Sequence, residues 1–115
     1  MRRGDVVWVD LDPARSNEAN KRRPAVVVSN DGANSSATRL RRGVVTVVPV
    51  TTNVDRVFAF HVLLPADSCG LPHDSKAQTE QIRSISIDRV VADVGAVPEI
   101  LLAQIDTALR LHLGL

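Results

Sequence analysis

A chain of 115 residues carrying 14 lysines and arginines against 13 acids, formal charge +1, leaves any attraction for nucleic acid to the arrangement of its charge rather than to the total. The length suits one domain, residues 1–115, with enough chain to bury a core. The lone cysteine, Cys69, excludes an internal disulfide, no apolar run reaches membrane-spanning length, and Asp5 and Asp10 interrupt the N-terminus before a signal-peptide core can form. A soluble cytoplasmic protein with no membrane association is expected.

In chain order, "GDVVWVDLD" is the first run rich in β-branched residues and reads as a strand. The stretch "SNEANKRRPAVVVSND" then brings one carboxylate, Glu18, to three consecutive cations, Lys21, Arg22 and Arg23, at the mouth of a second strand, "PAVVVSN". "GANSSATRLRRG" reads as an exposed loop, "GVVTVVPVT" as the third strand, "TTNVDRV" as another loop and "FAFHVLL" as the fourth strand. A fifth, "AQTEQIRSISI", alternates so that Gln81, Arg83 and Ile85 share one face and Ile82 and Ser84 the other. "VVADVGAV" adds a short sixth. The period then changes: Leu102, Ile105, Leu109 and Leu113 recur at helical spacing between Pro98 and Gly114. The fold class expected is mainly β with a C-terminal α-helix, a strongly bent sheet or partly open barrel whose apolar face the helix covers.

Chemistry is narrowed by elimination. His61, His73, His112 and Cys69 match no zinc spacing, and each histidine reads as a packing or loop residue. Neither phosphate-binding glycine motif occurs, and no nucleophile elbow marks a serine. Trp8, in an alternating strand, reads as core or interface more than as a stacking platform. What remains is an acid, guanidinium groups and hydroxyls on loops, beside a polar strand face near residues 80–83. That set suits a phosphodiester, because arginine offers planar paired donors to phosphate oxygens and favours a transition state that gathers negative charge there. With RNA as substrate the 2′-hydroxyl can itself attack, so the reaction requires no metal or cofactor, and none is expected.

The ordered segments "RGDVVWVDLDPARSNEANKRRPAVVVSND", "VVPVTTN", "FAFHVLL" and "EQIRSI" resemble the MazF/PemK family of toxin endoribonucleases from Arg3 to the terminal helix. The resemblance implies the SH3-like barrel of CcdB/PemK-like toxins, a homodimer, and metal-independent cleavage of single-stranded RNA at short motifs. It further implies 2′,3′-cyclic phosphate and 5′-hydroxyl ends, and neutralisation by a MazE-like antitoxin whose disordered tail occupies the RNA groove. Arg23 and Thr51 match the family's catalytic arginine and threonine, and Glu18 matches its loop acid. Arg22, Ser29, Asn30, Thr52, Glu80, Gln81 and Arg83 are the implied RNA contacts. The general base stays open, since arginine is a poor base. One departure stands out: where many members have Gly-Ser-Glu-Gln, this chain has "SNEA", with Ser16 or Asn17 in place of the glycine. Two other readings remain, a CcdB-like gyrase poison that cleaves nothing and a non-enzymatic SH3-like interaction module.

Overall fold

Strands form where valine crowds the sequence, because branched side chains pack well on a pleated surface flanked by neighbours. The computed structural model describes residues 1–11 and 22–115. Seven strands, β1 (Asp5–Asp10), β2 (Arg22–Val27), β3 (Val44–Thr51), β4 (His61–Leu64), β5 (Ser75–Gln78), β6 (Arg83–Ser86) and β7 (Val90–Ala96), join in one sheet. All its pairings are antiparallel. The order is β4-β5-β3-β2-β1-β7 with β6 also on β3, and β4 and β7 do not meet, so the sheet is bent but not closed. The expected mainly β fold with a terminal helix is the one observed, and "VVADVGAV" forms β7 as read.

Side chains alternate across each strand, and this sheet buries both faces. On one face Val6, Val26, Val48 and Leu64 pack against Ile105, Ala108 and Leu109 of α3 (Glu99–Leu113), the expected amphipathic helix. On the other, Val7, Val9, Val27, Val47 and Ile85 pack with Ala37 of α1 (Asp31–Leu40). Arg3 ties these layers together: its guanidinium lies 2.5 Å from Asp106 of α3 and its Nε donates to the Val28 carbonyl. The Arg3 amide donates to Asp31, at the start of α1.

Three readings of the sequence need correction. "GANSSATRL" is a helix, not a loop: Asn30 caps its first turn by accepting from the Ala33 amide at 2.8 Å, and Asn34 and Ala37 are buried. It ends where Arg41 takes a left-handed conformation at φ 52°. "FAFHVLL" becomes a strand only at His61, since Phe58 and Phe60 stack on one another in the preceding turn, centroids 5.5 Å apart. "AQTEQIRSISI" is not one strand. A 3-10 turn at Thr79–Gln81 separates β5 from β6, and β3 advances three residues from Val50 to Val47 while the facing chain advances six, from Ala77 to Arg83. The surplus is forced out of the ladder, as in an enlarged bulge.

Helix α2 (Ala66–Cys69) sits against β7 so closely that a Cβ at Gly95 would lie 2.3 Å from the Cys69 carbonyl oxygen. Backbone on both sides leaves no flexible atom to yield. Gly95→Ala is expected to lower stability by about 1–3 kcal/mol, the usual cost of overpacking, and thermal or denaturant unfolding will measure it.

Candidate active site

Two prolines open the sheet at one end. The β2–β3 ladder runs through Val27↔Val47 and Val26↔Val48 and stops at Ala25↔Pro49. Pro49, and Pro24 beside it, have no N–H with which to continue it. Past this point β2 stays on β1, Val9↔Arg23 and Asp10↔Arg22, while β3 turns to β5, Val50↔Ala77 and Thr51↔Lys76. Arg23 and Thr51 therefore flank the gap where the two strands part.

Strand alternation fixes which way they point. Arg23 shares the face of Ala25 and Thr51 that of Pro49, its ladder partner, so both project to the same side. Lys76, opposite Thr51, and Arg83, opposite Val47, belong to that side too. One face thus gathers the exposed guanidiniums of Arg23 and Arg83 and a hydroxyl, with Lys76 buried beside them. Arg22, Arg23 and Arg83 are exposed, and no acid is paired with any of them among the described residues. Such an array suits an oligoanion.

The Thr51 hydroxyl is oriented by its loop. Its Oγ1 accepts the Asn53 amide at 3.2 Å, which occupies a lone pair and leaves the O–H free to donate outward. The Asn53 side chain in turn accepts the Asp55 amide at 3.2 Å. Thr52 is exposed beside it.

The 3-10 turn presents Gln81 to solvent but holds Glu80 back. Glu80 Oε2 lies 2.6 Å from Nε2 of a nearly buried His61, whose Nδ1 accepts the Phe58 amide at 3.1 Å. Since Nδ1 is the acceptor, Nε2 carries the hydrogen and donates to the carboxylate. Thr79 fixes the turn further by donating its hydroxyl to the Phe60 carbonyl at 2.5 Å. His61 thus has a partner that sequence reading missed. Residues 61 and 80 lie 19 apart, and only the β4–β5 pairing His61↔Gln78 brings them together.

The other expected contacts scatter. Ser29 and Asn30 lie beyond the far end of β2, roughly 20 Å of extended chain from Arg23, and their side chains are engaged with α1. The Ser29 hydroxyl donates to Asn34 at 2.5 Å and accepts the Thr46 amide, and Asn30 is the cap already described. Trp8, half-buried, lines a shallow hollow of about 400 Å³ with Arg22, Val91 and Ala92 on the opposite face. Glu18 and Lys21, with Ser16 and Asn17, lie outside the described residues. Burial pushes the Cys69 thiol above its ordinary value, which suits a packing role. Among the described residues no group of three or more His, Cys, Asp or Glu side chains could hold a metal ion, and no helix is long and apolar enough to cross a membrane.

Comparison with known proteins gives a consistent result. Residues 2–113 match the family model described as PemK-like, MazF-like toxin of type II toxin-antitoxin system. The chain is 61% identical to endoribonuclease MazF9 of Mycobacterium tuberculosis over 100% of its own length and 98% of that protein's. It is 30% identical to endoribonuclease EndoA of Bacillus subtilis, covering 100% of this chain and 96% of the other. Among solved structures, the MazE-MazF complex (Form-II) of Deinococcus radiodurans superposes with a TM-score of 0.81 at 27% identity, covering 100% of this chain and 96% of that one.

Proposed function

The chain belongs to the PemK-like, MazF-like toxins of type II toxin–antitoxin systems, and on that premise we propose that it is an endoribonuclease that cleaves single-stranded RNA without a metal and is neutralised by a MazE-like antitoxin. We infer that it works as a single-domain homodimer in the cytoplasm. The observation that carries this reading is the splayed end of the β2–β3 ladder, where Arg23 and Thr51 project to one side as donors suited to phosphate.

In this mechanism the substrate's 2′-hydroxyl gives up its proton and attacks the adjacent phosphorus, its oxygen forming the new P–O bond while the bond to the 5′-oxygen breaks and that oxygen takes up a proton. The products are a 2′,3′-cyclic phosphate and a 5′-hydroxyl. The Arg23 guanidinium and the Thr51 O–H donate to the non-bridging oxygens, whose charge grows in the transition state, and such donors lower the barrier because they hold that charge more tightly than the ground state's. Arg83 and Gln81 bind the chain alongside, with Thr52 at the rim, while Arg22 faces the other side of the sheet. Glu18 is assigned to proton transfer or RNA positioning, and Glu80 contributes mainly by shaping the turn that carries Gln81. A guanidinium is a poor proton acceptor, so Arg23 serves as an electrostatic group.

Incubating the purified chain with single-stranded RNA in excess EDTA tests this. Cleavage at defined short motifs is expected to persist, giving 3′ ends that cannot be ligated until the cyclic phosphate is opened and removed, and 5′ ends that cannot be ligated until they are phosphorylated. Intact RNA in both the presence and absence of divalent cations would overturn the proposal and favour a non-cleaving toxin.

A further inference from the structure

Lys76 takes no part in the reading above, yet its position is unusual. It is 6% exposed, and a lysine is rarely buried so far without an acid. No acid is paired with it among the described residues. Its Nζ instead donates to the Arg56 carbonyl, 20 residues away in the loop that follows Thr51.

That contact closes a circuit. Lys76 is the ladder partner of Thr51 and shares its face. The Thr51 hydroxyl holds the Asn53 amide, the Asn53 side chain holds the Asp55 amide, and Lys76 holds the next residue's carbonyl. The first half of the loop is thus stitched at Asn53 and Asp55 and pinned at its middle, Arg56, to the residue opposite its start. A buried ammonium is costly to desolvate, and an apolar side chain of similar length would fill the same space at lower cost. Stability alone does not account for a lysine here.

We propose that Lys76 is a positioning residue for RNA cleavage: by pinning the Arg56 carbonyl it fixes the loop whose Asn53 amide orients the Thr51 hydroxyl toward phosphate. This rests on the reading of Thr51 as a phosphate donor. A donor displaced by a fraction of its bond length loses most of its value in the transition state, and small displacements of reacting groups cost up to about 100-fold in rate.

The test compares wild type, Lys76→Met, Lys76→Arg, Thr51→Ala and the Lys76→Met/Thr51→Ala double variant on a fluorescent single-stranded RNA oligonucleotide carrying a mapped cleavage site. Lys76→Met is expected to unfold at the same or a higher temperature than wild type, yet to lose about 10- to 100-fold in kcat with KM little changed. Lys76→Arg, which retains a cationic donor, should recover most of the rate. Because Lys76 acts through Thr51, its substitution should cost nothing further in the Thr51→Ala background. Wild-type kcat in a folded Lys76→Met protein, or losses that multiply in the double variant, would overturn the proposal while leaving the assignment of Thr51 standing. Full activity of Thr51→Ala would instead remove the reading beneath it. Should Lys76→Met fail to fold, amide exchange on the wild-type chain decides. Protection at Asn53 and Asp55 supports the pinned loop, and exchange at the unstructured rate overturns it.

Discussion

A folded Arg23→Ala protein is expected to cleave RNA on the order of 100- to 1,000-fold more slowly than wild type, and Thr51→Ala to fall by a similar factor, the usual effect of removing one oriented donor from a developing anion. Neither change should disturb the fold. Arg23 is exposed at the second residue of β2, Thr51 is only half-buried at the last residue of β3, and neither belongs to the apolar clusters on the two sheet faces. The two strands are joined by the valine pairs upstream, which both substitutions leave untouched. Initial rates on a single oligonucleotide, with circular dichroism to verify folding, give the answer. Near-wild-type cleavage by folded Arg23→Ala would show that the splayed strand end is not the reacting site.

The second large effect lies in the substrate. Replacing the ribose on the 5′ side of the scissile phosphate by 2′-deoxyribose is expected to abolish cleavage at that bond, because the attacking oxygen is then missing. Binding should survive. The contacts proposed for Arg23, Arg83 and Gln81 reach phosphate and base, not the 2′ position, so the deoxy oligonucleotide should inhibit cleavage of the all-ribose form with an inhibition constant near the substrate's KM. Efficient scission of the deoxy-substituted bond would rule out attack by the 2′-hydroxyl.

The strands were legible where branched residues run together, as in β1, β2 and β3, since local preference and burial agree there. Helix α1 was not, because "GANSSATRL" has a weak intrinsic preference for helix and owes its form to the Asn30 cap and to the burial of Asn34 and Ala37 beneath it. The start of β4 is not legible in the sequence, because Phe58 and Phe60 have strand-forming side chains but stack on each other and approach His61. At the candidate site, Arg23 and Thr51 were reachable through the resemblance carried by "RRPAVVV" and "PVTTN". Lys76 and the His61–Glu80 pair were not, because each acquires meaning only from strand register: Thr51↔Lys76 in one case, His61↔Gln78 in the other.

The three-residue surplus facing β3 has a bearing on how such a protein can change. Thr79 is fastened to Phe60, and Glu80 to His61, so the turn keeps its shape through these anchors. Gln81 alone among its three residues is exposed, and its side chain bonds to none of the described residues. Substitution there alters the chemistry offered to a passing nucleotide without shifting the pairing of β5 or β6 and with little effect on folding free energy. On the RNA-binding role proposed for Gln81, recognition and stability fall to different side chains within one turn, which would let descendants of a common ancestor diverge in the sequences they cut while inheriting an unchanged scaffold.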